Sequence, residues 1–371
     1  MSLKKILIIL IILLILVVGF LVAYNYFLKG EEPTEPASAP TEPTGPEAIS
    51  QLKPISQGSV LGPTIDGQKV KYYLRGDGNV FESNFDGSDK TRVSANLLTG
   101  LLKVLWSPQK DKAIAIFEDG GEVKKYLYDY QKEKATLLDS NIQHIAWSPR
   151  EDKIAYQYDN PQTEDNNISM ANPDGSNWTN ILATRMKDLI VEWPGSGQLA
   201  IRTKPSGLAQ SVAYTIDLAS GNLQKIISET YGLTVLWSPQ GDKLLFSETD
   251  ERGKNLKLKM ADLVRQAIKE FDFVTLPEKC VWSQDNRTIF CAVPKTILKT
   301  AILPDDYYKG LAALSDNFWR INLDTEEKIQ IYLPTDQEAI SYDAQNLLLS
   351  PLEDYLLFVN KRNGLLYSLE L

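Results

Sequence analysis

LWSPQGDKLLFSE, residues 236–248, is the stretch on which the fold turns. An aliphatic run ends in Trp237, and Pro239 stops it because proline has no N–H to give a neighbouring strand. Gln240-Gly241-Asp242 supplies turn chemistry. Leu244-Leu245-Phe246 then returns to the apolar, strand-forming pattern. Working outward, the segment reads as four strands: Leu233–Trp237, Lys243–Glu248, Leu256–Ala261 and Ala267–Phe271.

The same pattern recurs along the chain. It stands as LWSPQKDKAIAIF from Leu105 and AWSPREDKIAYQY from Ala146, and more weakly as EWPGSGQLAIRT from Glu192, VWSQDNRTIFCAV from Val281 and LLSPLEDYLLFVN from Leu348. The most degenerate copy is VLGPTIDGQKVKYYL from Val60. The Trp-equivalent positions Leu61, Trp106, Trp147, Trp193, Trp237, Trp282 and Leu349 are spaced by 45, 41, 46, 44, 45 and 67 residues. A period near forty-five with several short strands per repeat predicts a β-propeller of seven four-stranded blades. Asp86-Gly87 and Asp174-Gly175 fall where third and fourth strands need a hairpin turn. The Trp is expected to fill the wedge between adjacent blades.

The last repeat runs out after Tyr355–Asn360 and Leu365–Leu371, one strand short. Ile49–Ser56 resembles the fourth strands near Lys90–Ser94 and Gln224–Ser228, and pairing it with the final blade would close the ring and remove an exposed edge. The WSP…DK-apolar repeats, over residues 49–371, resemble those of the propeller domain of TolB and related bacterial envelope proteins, and more distantly WD-repeat propellers. That resemblance implies the fold and an envelope setting, not an activity, because propellers host many functions. TolB carries an N-terminal α/β domain where this chain has an apolar segment and a linker. Prolyl oligopeptidases couple such propellers to a hydrolase domain that is missing from the repeats here.

Ahead of the ring, residues 1–29 read as a cytoplasmic start and a transmembrane helix. Ile6 to Tyr24 holds no charge, and Ile6 to Leu28 would span roughly 34 Å as a helix, enough for a bilayer core of ~30 Å. Lys4 and Lys5 before it, with Glu31, Glu32 and Glu35 after it, predict a single-pass protein with its N-terminus cytoplasmic and its propeller extracytoplasmic. A cleavable signal peptide would want a shorter apolar run and a small-x-small site, which Val22-Ala23-Tyr24 does not make. Residues 30–48, with prolines at 33, 36, 40, 43 and 46, read as an extended spacer.

One interval breaks the rhythm. About residues 294–316, PKTILKTAILPDDYYKGLAALSD, an insertion separates the second and third strands of blade six. Pro304 followed by Asp305 and Asp306 favours a short helix, and Tyr307 and Tyr308 are residue types suited to contact surfaces. These four are the candidate interaction residues; an excursion packed over the propeller face is the alternative. In the same blade, setting Trp282 opposite Ile289 also sets Cys280 opposite Cys291, within disulfide reach, with two packed free thiols as the other reading.

Chemistry is otherwise sparse. His144 is the single histidine, and no GxSxG, calcium loop or phosphate loop is present. A net charge of −9 argues against a nucleic-acid surface, because phosphate binding requires clustered Lys and Arg. The expectation is therefore a non-catalytic, membrane-anchored module that binds an envelope protein or polymer, without cofactor or metal. A carboxylate-dependent glycan lyase or hydrolase, or a small-ligand receptor, in the funnel is the alternative.

Overall fold

A computed structural model describes residues 52–95, 97–163, 166–334 and 340–371. The expected transmembrane helix within 1–29 and the linker 30–48 lie outside the described residues. Within them no helix is long and apolar enough to cross a membrane.

The described chain is an all-β propeller of seven four-stranded antiparallel sheets. Blade one comprises Val60–Asp66, Lys69–Leu74, Val80–Asn84 and Thr91–Ser94, and each later blade repeats this simple up-and-down order. Blade seven is the exception in sequence but not in shape. Its fourth strand is Leu52–Pro54, paired to Leu366–Glu370 through Leu52 opposite Leu369, Lys53 opposite Ser368 and Pro54 opposite Tyr367. Pro54 is tolerable there because the strand is outermost. Ile55, 7% exposed, then enters the core between blades seven and one.

The WSP motif is a turn lock. Ser107 Oγ donates to Asp111 at 2.9 Å while accepting from the Lys112 N–H at 3.0 Å. Ser238 with Asp242 and Lys243, and Ser350 with Asp354 and Tyr355, repeat the arrangement. In the third blade Ser148 instead accepts from the Arg150 and Glu151 N–H groups. The indoles also staple neighbours. Trp106 Nε1 donates to Gly62 O at 2.7 Å, Trp147 to Leu105 O at 3.0 Å and Trp282 to Leu236 O at 3.4 Å, each on the first strand of the preceding blade. Trp237 uses the Glu192 carboxylate instead, at 3.2 Å.

Two first strands are shorter than the sequence pattern suggests. In blade five the strand is Val235–Trp237 rather than Leu233–Trp237, because Thr234 turns its N–H and hydroxyl to Ser247 Oγ, each at 2.9 Å. In blade six Pro277–Lys279 forms a single 3₁₀ turn, leaving only Cys280–Trp282 as strand. The second and third strands of that blade, Thr288–Pro294 and Asp316–Asn322, close directly around the insertion.

Candidate functional site

In an up-and-down blade, the loops joining second to third strands and those leading into the next blade emerge at the same end of the ring. The insertion is such a loop, and it lies across its neighbours rather than out in solvent. Leu303 N–H donates to Gly253 O at 2.9 Å, and Asp305 accepts from Ser206 Oγ at 3.0 Å and from Gly207 N–H at 2.6 Å. A Cβ on Gly207 would stand 2.3 Å from Leu303 O and 2.7 Å from Gly253 Cα, so this docking requires glycine. Leu256, Leu276, Ala301, Leu303, Tyr307, Ala312 and Leu314 form a small core of their own beneath the loop.

The four insertion residues separate by role. The short helix is Asp305–Tyr308, and its acids face inward: Asp305 holds the blade-four loop, and Asp306 Oδ2 accepts the Ile302 N–H at 2.7 Å. Tyr307 is 2% exposed. Tyr308 is 49% exposed, and its hydroxyl donates to Glu278 at 2.7 Å. Tyr308 is thus the member of the four that offers an aromatic surface to solvent.

Tyr307 sits on a buried ionic cluster that nothing in the motif pattern announced. Lys279 is fully buried, and its ammonium reaches Asp316 Oδ2 at 2.9 Å, Asp343 Oδ1 at 2.7 Å and Ala344 O at 2.9 Å. Tyr307 OH donates to Asp343 Oδ1 at 3.2 Å. Burial pushes the Asp316 carboxyl up to about 6, against the pull of Lys279. Burial first, and the Asp343 charge second, raise the Tyr307 phenol. From blade seven Lys361 donates to Tyr307 O and stands over its ring, and Arg362 donates to Leu314 O at 3.0 Å. The cluster joins the entrance to blade six, the insertion and the entrance to blade seven. It has no open side and is a structural latch.

The open chemistry lies beside it. Arg202, at the end of the second strand of blade four, pairs with Glu192 at 3.3 Å, and its buried Nη1 has no hydrogen-bond partner among the described residues. Arg202 lies close enough to act electrostatically on both Tyr308 and Lys103. Desolvation lowers the Lys103 ammonium, with Glu192 opposing it. On the neighbouring first strand His144 has φ +48° at a register shift and stands 3.7 Å from Asp188, which also pairs with Lys204 at 3.0 Å. Burial, then Lys204, keeps the imidazole below its usual range, hence neutral at pH 7. Lys103, Glu192, Arg202, Glu278 and Tyr308 therefore make a mixed-charge mouth at the insertion end of the ring. Its acids are engaged by Arg202 and Tyr308 rather than placed as a free pair. Among the described residues, no three His, Cys, Asp or Glu side chains gather as metal ligands do.

Cys280 and Cys291 face each other across the first two strands of blade six and are joined by a disulfide, with Cα atoms 4.1 Å apart. Asp86-Gly87-Ser88 and Asp174-Gly175-Ser176 are hairpin turns in which the Asp accepts from the Ser N–H and hydroxyl. Those hydrogen bonds hold both carboxyls below the ordinary range.

No family model matches the sequence, and no curated protein is detectably similar to it. Solved structures do match. Oligogalacturonate lyase in complex with manganese aligns with TM-score 0.61 at 10% identity, over 87% of this chain and 93% of that one. Oligogalacturonate lyase from Vibrio parahaemolyticus aligns with TM-score 0.60 at 10% identity, over 88% and 94%. TolB from Acinetobacter baumannii aligns with TM-score 0.46 at 13% identity, over 75% and 63%. At these identities the lyase likeness shows the propeller fold and nothing finer, and the TolB match is too distant to argue from.

Proposed function

We propose that this chain is a non-catalytic binding propeller, held to the cell membrane by residues 6–28, that recognises a protein or polymer of the cell envelope with its insertion end. One observation carries the reading. The insertion is clamped by a buried ion cluster and by Gly207, and it presents a half-open aromatic, Tyr308, near the largely buried Arg202–Glu192 pair. A rigid, half-exposed aromatic backed by a largely buried Arg–Glu pair is the composition of an interface anchor. The Cys280–Cys291 disulfide agrees with an oxidising, extracytoplasmic setting. Removing 294–316 is a poor test, because it would also take Tyr307 and Asp316 from around Lys279. Tyr308→Ala and Arg202→Ala in the full-length, detergent-solubilised protein are the sharper pair. Both should lower recovery of co-purifying envelope material at least tenfold with the melting temperature of Tyr308→Ala unchanged. Full recovery with both variants would remove the insertion end as the contact.

A second reading, an enzyme working in the funnel, draws on the propeller shared with oligogalacturonate lyase. The manganese named for that protein finds no three-residue ligand cluster among the described residues here. Incubation with oligogalacturonate, with and without manganese, tests it: shortening of the oligomer by the wild-type chain, abolished by Glu192→Gln, would favour this reading over the first.

A further inference from the structure

The outer part of blade three holds a cavity of about 490 Å³ that none of the chemistry above uses. Tyr156, Tyr158, Asn160, Asn167, Trp178 and Asn180 line it, with Asp139 at its edge. Trp178 is 62% exposed, the most open tryptophan among the described large apolar side chains. The repeat supplies an internal control. Blade two has a cavity on the matching face, about 360 Å³, whose lining residues Ala115, Phe117, Tyr126 and Tyr128 stand 41 positions before Tyr156, Tyr158, Asn167 and Ser169.

The two grooves are built oppositely. In blade two the aromatics consume one another: Phe117 stacks on Tyr126 with centroids 5.6 Å apart, and Tyr128 meets Tyr130 edge-on at 4.8 Å. In blade three a carboxamide and a hydroxyl replace those two tyrosines. Tyr156 is buried against the aliphatic core of the blade, while Tyr158 and Trp178 have no ring partner among the described residues. The amides are also only partly used. Ser169 Oγ donates to Asn180 Oδ1 at 2.8 Å and leaves the Asn180 NH₂ pointing to no described acceptor. The Asn167 carboxamide makes no hydrogen bond within the described residues. Packing alone would not favour this exchange, since amides cost more than rings to bury against an outer groove.

The open face of Trp178 and the half-buried Tyr158 beside planar amides suit a ligand with apolar C–H faces and equatorial hydroxyls. No lysine or arginine lines the cavity, and its single acid, Asp139, is at the edge, so an anionic ligand has no counter-charge there. We propose that the blade-three cavity is a binding site for a neutral oligosaccharide, with Trp178 as the stacking platform and Asn167 and Asn180 as hydroxyl readers. It is independent of the insertion end, and its success or failure leaves the reading of Tyr308 and Arg202 untouched.

Isothermal titration calorimetry of the full-length protein with maltotetraose, cellotetraose, N,N′,N″,N‴-tetraacetylchitotetraose and, as the charged control, tetragalacturonate tests this. At least one neutral tetrasaccharide should give a saturable isotherm, weakened tenfold or more by Trp178→Ala and by Asn167→Leu, and unchanged by Tyr308→Ala. Circular dichroism and melting curves should show both pocket variants folded, as expected for an exposed tryptophan and a half-open asparagine. Absence of binding by all three neutral sugars, tightest binding by tetragalacturonate, or an unaltered isotherm with folded Trp178→Ala would each overturn the assignment.

Discussion

Replacing Lys279 by methionine should destabilise the propeller strongly, and more at pH 7 than at pH 5. Lys279 Nζ has three protons and three close acceptors: Asp316 Oδ2 at 2.9 Å, Asp343 Oδ1 at 2.7 Å and Ala344 O at 2.9 Å. Methionine fills much of the same volume but leaves two buried carboxylates facing each other. Breaking a buried pair from one side typically costs about 3–5 kcal/mol. At roughly 2 °C per kcal/mol for a large domain, the melting temperature should fall by roughly 6–10 °C at pH 7. The sign of the pH effect follows from Asp316. Its carboxyl is raised in the folded state to about 6, above the ordinary value of 3.8. The folded chain therefore binds this proton more tightly than the unfolded chain does. Its contribution to stability is present in full below the unfolded value and is lost as pH rises through about 6. Without Lys279 the same carboxyl moves further up, so at pH 5 it is neutral and the damage shrinks. Differential scanning calorimetry of wild type and Lys279→Met at both pH values is the assay, with Asp316→Asn as the partner variant expected to flatten the wild-type slope between pH 4 and 7. A fall under 1 °C at pH 7, or an equal fall at both pH values, would refute the reasoning.

Three further outcomes follow from the same geometry. Gly207→Ala should loosen the insertion without melting the ring, because the new methyl meets Leu303 O at 2.3 Å; limited proteolysis should then cut within 295–315, and wild-type resistance in the variant would sink the idea. Reduction, or Cys280→Ser with Cys291→Ser, should lower stability by about 2–3 kcal/mol, the chain-entropy value for a bridge of sequence separation 11, read as a shift in the denaturant midpoint at constant slope. Removing residues 1–56 strips the closing strand Leu52–Pro54 and the buried Ile55, leaving the edge of Leu366–Glu370 bare; size-exclusion chromatography should show concentration-dependent association that the longer chain lacks.

Repetition explains what could be read from residues alone. The ring, the blade count and the closing strand each rest on a pattern stated several times, so Leu61 and Leu349 could stand in for tryptophan without hiding their repeats. The facing of Cys280 and Cys291 follows from a period-two register once Trp282 is set against Ile289. The candidate site was less legible because it is assembled from residues that depart from the repeat singly. Lys279 stands three positions before its Trp, where Thr234 stands in blade five and His144 and Lys103 in blades three and two. A lysine at that place in the blade whose next loop is enlarged is a visible anomaly, but its partners Asp316 and Asp343 come from 37 and 64 residues downstream. Arg202 in its strand and Glu278 in its 3₁₀ turn are unremarkable by themselves and acquire meaning only with Tyr308 beside them.

The placement of the buried charges bears on how recognition would work. A 21-residue surface loop that ordered only on meeting its partner would spend part of the interaction on that ordering. Here the cost has already been met within the fold. Asp305 is engaged by Ser206 and Gly207, Lys254 donates to Ala301 O at 2.7 Å, and Lys279, Lys361 and Arg362 fix the far side. Tyr308 is consequently held at one orientation, with its hydroxyl committed to Glu278 and its ring face free. Tyr308→Phe separates the two parts of that claim. Losing the hydroxyl releases Glu278, whose Oε2 already lacks a partner among the described residues, yet it keeps the aromatic face. If the ring is the contact and the latch does the positioning, phenylalanine should retain most of the captured material while alanine loses it. Equal loss with phenylalanine and alanine would instead assign the contact to the hydroxyl–carboxylate pair, and would make Glu278 the residue to change next.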